Sequence, residues 1–367
     1  MSEEAVEAVD AGGDGLTPWL RACVAAALFA MDPVGIGGVV VRARAGPVRD
    51  RWLAMLRSLL SAERPLRRMP LQIPDSRLLG GLDLSATLRA GRPVMERGLL
   101  AEVDGGILIL PMAERLEVGV AARLASVIDR GSVQIQRDGI DQLLPSRFGF
   151  VALDEGEGDD ERLSASLADR AGLWLDLNDI RLAESDAGAD LFNAEQLSEA
   201  AAELAEADFG GADVKGATLE TSALEAFCGG AWTLGVDSLR APLLALRVAR
   251  AAAALDGRDR LLEQDVALAA QLVLAPRATR FPDADPSESE PSEPDSADNH
   301  EPDPPQEQSE QQAEQQSEQQ SEQQPEDSAG QTEDETPAPD HDEADESEDA
   351  SDPDAAGSLE DQVLAAV

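Results

Sequence analysis

Two apolar runs flanked by glycine limit the fold of this chain more than any other feature. GIGGVVVRA (35–43) is continuous and β-branched, and GGILILP (105–111) is continuous and aliphatic. A strand that is apolar at successive positions is covered on both faces. That is the situation of a central strand in a parallel sheet, whereas a sheet wet on one side alternates. After the first run a turn at Gly46-Pro47 leads into VRDRWLAMLRSLL, whose apolar residues from Val48 to Leu60 have helical spacing. An earlier helix is predicted from Thr17 as N-cap and Pro18 at the first helical position to about Met31. RLEVGVAARLASVIDRG (115–131) reads as a helix stopped by Gly131, and RFGFVALD (147–154) and GLWLDL (172–177) as strands. SVQIQRDGIDQLLP alternates on both sides of Asp138-Gly139, the pattern of a hairpin. Strands alternating with helices predict an α/β fold, a mostly parallel sheet with helices on both faces.

From about residue 190 the periodicity is helical only, which predicts a small all-α domain ending near Pro276. After Arg280 there is no Lys or Arg, while 30 Asp and Glu follow. Residues 281–357 are Pro, Ser, Gln, Glu and Asp, with near-repeats such as EQQSEQQSEQQ. Such a composition buries too little apolar surface to offset its ordering entropy, so a disordered acidic linker is expected. LEDQVLAAV at the end is apolar again and reads as the first turns of a further, truncated element. The expected organisation is a flexible 1–15, an α/β domain over 16–188, a helical lid over 189–280, the linker over 281–357 and the start of another element at 358–367.

Several functions are disfavoured by composition. The first 280 residues hold 43 acids against 29 bases, with no basic face suited to nucleic acid. Both histidines, His300 and His341, lie in the linker, so the folded part has none for acid–base or metal chemistry. Cys23 and Cys228 lack metal-type spacing and read as small buried hydrophobes. The acidic start offers no signal peptide and no membrane span, which suggests a cytoplasmic protein. The acids of LDEGEGDDE (153–161) suggest a cation site less readily than a solvated loop.

The strand, turn and helix around residue 45 have the frame of a phosphate-binding loop. A working loop needs G-x-x-x-x-G-K-[S/T]: backbone amides around the phosphates, a Lys on the β/γ oxygens and a hydroxyl on Mg²⁺. Here Ala43 stands at the first Gly, Val48 at the second, Arg49 at the Lys and Asp50 at the hydroxyl, with Gly46 inside the turn. Val48 adds a Cβ where backbone must approach phosphate, and Asp50 sets a negative charge beside an anion. The sole lysine, Lys215, lies far from this turn in sequence. The second apolar strand ends in Pro111-Met112, where Asp-Glu would hold the metal and activate water. No tightly bound cofactor and no metal site are therefore expected on this chain.

The order of these segments resembles the AAA+ domain of magnesium chelatase, which inserts Mg²⁺ into protoporphyrin IX in (bacterio)chlorophyll synthesis. The run LGGLDLSATLRAGRPVMERGLLAEVDGGILILP (79–111) is similar to the stretch through the second nucleotide-binding motif of that family's ATPase subunit. RDGIDQLLPSRFGFVALD resembles its hairpin and sensor-1 strand, SLADRAGLWLDL its arginine-finger segment, and DSLRAPLLALRVARAAAALDGRDRLLEQDV its lid and sensor-2 helix. The likeness spans about residues 16–280. The missing nucleotide residues and the acidic Pro-rich tail favour the D type of subunit over the I type.

The resemblance implies an AAA+ parallel sheet followed by a helical lid, and a non-hydrolysing subunit that joins the active ATPase (I) subunit in a hexameric-type ring. It implies MgATP at the partner, porphyrin on a large H subunit, and an arginine finger at Arg170 reaching a neighbour's nucleotide. It places sensor 2 at Arg240. The sensor-1 position, usually a polar Asn, falls near Asp154-Glu155. A surface ion pair with Asp169 or another acid is the plainer reading of Arg170, and a catalytically silent AAA+-derived scaffold is the alternative function.

Overall fold

A computed structural model of the protein describes residues 16–137, 140–158, 161–186, 188, 191–206, 214–280 and 359–367. The strands are β1 (Gly38–Arg42), β2 (Leu66–Arg68), β3 (Gly80–Leu82), β4 (Met95–Arg97), β5 (Ile107–Leu110), β6 (Ser132–Arg137), β7 (Ile140–Pro145), β8 (Gly149–Asp154) and β9 (Leu173–Asp176). The longer helices are α1 (Pro18–Met31), α2 (Pro47–Leu59), α3 (Val118–Arg130), α4 (Ala194–Glu206), α5 (Val214–Thr233), α6 (Ala241–Leu255), α7 (Glu263–Ala269) and α8 (Leu359–Ala365).

Five strands form one parallel sheet in the order β2-β5-β8-β1-β9. Successive residues of β1 serve opposite layers. Val39 and Val41 pack with α1, α2 and the lid, and Val40 packs with α3. All of β8 and β5 is buried in the same alternating way, which explains why neither run shows a polar face. Thr17 caps α1, its hydroxyl accepting from the Leu20 amide at 3.3 Å. Gly131 ends α3 in the left-handed region at φ 63°.

The structure differs from the sequence expectation at several points. The first strand begins at Gly38 rather than Gly35, because Asp32 accepts from the Gly35 amide at 2.8 Å and turns Pro33–Ile36 into helix. Gly37 then sits at φ 80°, where a Cβ would collide with the Arg170 carbonyl oxygen. That contact sets the segment before β9 beside the start of β1. β2, which reads Leu-Arg-Arg, and the small β3–β4 pair carry no apolar run and were not expected. β6 and β7 pair as the expected hairpin, with the Asp138-Gly139 turn outside the described residues. Cys23 is buried, but Cys228 is exposed, contrary to expectation, because its position on α5 faces away from the lid core.

The lid is α4 to α7. Past α7 the chain widens into a π turn over Ala270–Leu274 and ends in a 3₁₀ turn containing Pro276. A proline cannot donate back along an α-helix and its ring crowds the preceding turn, which relaxes the register there. Ala251–Ala254 of α6 are all buried, and their small side chains let neighbouring helices approach closely. α8 packs on the lid, with Val363 fully buried against Gly230. Among the described residues no helix is long and apolar enough to cross a membrane.

One buried ion triad holds the end of α6 to the start of α7. Arg258 donates to both oxygens of Asp265 at 2.6 and 2.7 Å and to Asp256 at 2.7 Å, and Asp265 also caps the Leu262 amide at 2.8 Å. Asp265 is 2 % exposed. Removing it strands a partly buried cation and an amide together, so Asp265→Ala is expected to lower stability by about 3 kcal/mol in denaturant unfolding.

Candidate phosphate-loop site and arginine pair

β1 ends at Arg42, and the Ala43 amide donates to the Asp154 carbonyl at 2.9 Å, closing the strand end against β8. Only residues 43–46 separate β1 from α2, which starts at Pro47. A phosphate cradle is built from backbone N–H groups, and Pro47 supplies none at the last position before the second Gly place. Asp50 lies exposed in the first turn of α2, where its carboxylate already complements the positive end of the helix.

Arg49 turns inward rather than toward an open loop. Its side chain is 10 % exposed and donates from Nη1 to Oε1 of Glu155 at 2.6 Å, just past the end of β8. The Glu155 amide in turn donates to Oε2 of Glu114 at 3.1 Å. The Glu114 side chain is fully buried, its other oxygen 3.4 Å from Nε of Arg115. Where a triphosphate and its lysine would meet, this chain places a guanidinium already neutralised by its own glutamate. Nε of Arg49 is buried without a hydrogen bond, a cost that only the close Glu155 contact offsets. After β5, Pro111 is buried and Met112 adopts φ 46°, alone among the described non-glycine residues in having positive φ. Neither side chain coordinates metal or accepts a proton. Among the described residues no group of three His, Cys, Asp or Glu could hold a metal ion. The residues of this loop do not fit a magnesium–nucleoside triphosphate.

Arg170 and Arg240 come together at the other edge of the sheet. Arg170 donates from Nε to Oδ1 of Asp129 at 2.9 Å and from Nη2 to Oδ2, and from Nη1 to the Ser166 carbonyl at 2.5 Å. Arg240 lies 3.3 Å from Oδ1 of the same Asp129 and 3.0 Å from Asp169. Ser238 donates to Asp169 at 2.5 Å. The Arg170 hydrogen bonds, and then the charges of Arg170 and Arg240, hold the Asp129 carboxyl below the usual carboxylate range, and Asp129 raises Arg170 in return. Of the acids open to Arg170 it is Asp129 that pairs with it, while Asp169 pairs with Arg240. Asp129 and Glu114 were invisible in sequence because their partners lie 41 residues away.

The two sites are far apart. Arg170 abuts Gly37, the loop begins at Ala43, and the chain between them is mostly strand, about 20 Å at roughly 3.3 Å per residue. The lid is pinned at the arginine edge by Arg240 and by Arg247, which reaches Asp32 at 2.6 Å. A cavity of about 980 Å³ follows β9 between sheet and lid, lined by Trp174, Arg277 and the Asp176 carboxylate but by none of residues 43–50. Arg277 lies over the Trp174 ring at 5.3 Å, and burial pulls its guanidinium down to about 10.

Comparison with known proteins places this geometry. The AAA lid domain family matches residues 225–297. The magnesium-chelatase 60 kDa subunit of Cereibacter sphaeroides is 39% identical over 76% of this chain and 44% of its own length. The 67 kDa subunit of Chlorobaculum parvum is 30% identical over 71% of this chain and 43% of its own. The chain belongs to the magnesium-chelatase 60/67 kDa subunit family. It spans less than half the length of these curated relatives. A putative ATPase from Cytophaga hutchinsonii, 14% identical with a TM-score of 0.50, covers 75% of this chain and 86% of its own, and shares the fold.

Two outcomes follow from these contacts. In a double-mutant cycle, Arg49→Met and Glu155→Gln are expected to couple by about 1–3 kcal/mol, read from denaturant midpoints. For Asp129, whose folded carboxyl lies below its unfolded value, the stabilisation is full above about pH 4 and disappears as pH falls through the depressed value. The stability gap between the wild type and Asp129→Asn is therefore expected to be constant at neutral pH and to close on acidification, measured by urea unfolding across pH 7 to 2.5.

Proposed function

We propose that this chain is a subunit of magnesium chelatase that does not itself hydrolyse ATP. It assembles with the ATPase (I) subunit in a ring that drives ATP-dependent insertion of Mg²⁺ into protoporphyrin IX, the porphyrin being carried by the H subunit. The observation that supports this reading is the separation of the two sites: Arg49 is consumed by Glu155 at one edge of the sheet, while Arg170 and Arg240 gather at the opposite edge. About 20 Å from their own loop, these arginines cannot serve it. A guanidinium there acts only on a nucleotide held by a neighbouring subunit, where it stabilises charge spreading over the transferring phosphoryl group.

The bidentate contact between Arg170 and Asp129 favours a second reading, in which the pair is structural and the chain is an AAA+-derived scaffold. Arg170→Ala separates the two. In a complex reconstituted with the I subunit, the first reading expects partner ATP turnover and chelation to drop by roughly a hundredfold or more with assembly intact. Unchanged turnover by an assembled Arg170→Ala complex establishes the scaffold, and appreciable ATP hydrolysis by the purified chain alone overturns the non-hydrolysing assignment.

A further inference from the structure

Four charged side chains from three segments meet at the arginine edge: Asp129 at the end of α3, Asp169 and Arg170 before β9, and Arg240 before α6. Their charges cancel. Among the described residues Asp129 alone touches both arginines. A guanidinium carries five N–H bonds. Arg170 commits Nε and one Nη2 hydrogen to the two Asp129 oxygens and one Nη1 hydrogen to the Ser166 carbonyl. Two N–H bonds remain, one on each terminal nitrogen. The Arg170 side chain is 15 % exposed, against 48 % for Arg240, so its stem is already ordered.

That arrangement is more than a closed surface pair. A fork–fork contact fixes the plane and the direction of the guanidinium, which a single-point contact does not. A long side chain held this way surrenders its rotamer freedom on folding and not on meeting a ligand. The same carboxylate receives Arg240, which begins the helix that ties the lid to the sheet. A shift of the lid pulls on the group that aims Arg170.

We propose that Asp129 is a positioning residue: it holds Arg170 by its Nε/Nη2 edge, leaves two N–H bonds uncommitted for an oxyanion on a neighbouring subunit, and links that presentation to the lid through Arg240. This rests on the reading that Arg170 acts across a subunit boundary.

The test uses the full chain, alone and in complex with the I subunit, as wild type, Asp129→Asn, Asp129→Glu and Arg170→Ala. In the complex, Asp129→Asn is expected to lower partner kcat for ATP by roughly ten- to a hundredfold, the cost of a misaimed group, with KM and assembly unchanged. Asp129→Glu, which keeps the carboxylate, recovers part of that loss. In the chain alone, phenylglyoxal modification of Arg170, read by mass spectrometry, accelerates in Asp129→Asn because the seat is gone. If Arg170→Ala lowers kcat and Asp129→Asn does not, the positioning role is overturned and the trans reading stands. If Arg170→Ala is silent, the trans reading itself falls. Unchanged Arg170 reactivity in Asp129→Asn overturns the seat without reference to assembly.

Discussion

The parallel direction of the five central strands sets where everything else can go. When β1, β5, β8 and β9 all point one way, every strand-to-helix turn opens on one edge of the sheet and every return enters at the other. The hydrogen-bonded register between β1 and β9, Val39 with Leu173 through Arg42 with Asp176, then fixes the height of both segments. The phosphate-loop turn must lie at the exit edge and Arg170 at the entry edge, whatever their side chains do. β1 is paired in parallel on both sides, with β8 and with β9, so reversing it would break two ladders at once. The lid inherits the same geometry, because α6 takes its ionic contacts from Asp32, Asp129 and Asp169, all at the entry edge.

At the exit edge, the arginine at the phosphate-loop lysine position is engaged in internal charge pairing. A buried arginine needs a counter-charge, and a nucleotide would be one source. Here Glu155 is the source, and its amide is steadied by Glu114. A ligand at this turn would have to compete with Glu155 for the same guanidinium. At the entry edge the balance differs. Asp129 and Asp169 neutralise two arginines without burying them fully, so cationic hydrogen-bond donors stay near the surface.

Much of this was legible in the sequence. The continuous apolar runs give the sheet, Thr17, Pro18 and Gly131 place helix ends, and residues 43–50 with Pro111-Met112 give the altered loop. What stayed hidden depends on distance along the chain. β2 could not be read because a three-residue edge strand of Leu-Arg-Arg carries no pattern. Arg49 reads as a lysine substitute, but its partner comes from beyond β8, and no local rule pairs residues 106 apart. Arg170 has an acid beside it in sequence, Asp169, and its actual partner is Asp129, because the backbone turn before β9 sends neighbouring side chains in different directions. Local chemistry gave the residue types of both sites, and only the tertiary fold gave their partners.

Pro47 has a consequence for the history of such a loop. Replacing Arg49 with lysine alone would leave Glu155 and Glu114 in place, and an amide still missing at the turn. Restoring a hydroxyl at Asp50 would leave the guanidinium paired. Each compensating change makes the next reversal less profitable, so the loop behaves as a ratchet. No single substitution at this turn therefore removes the other departures from the phosphate-loop pattern.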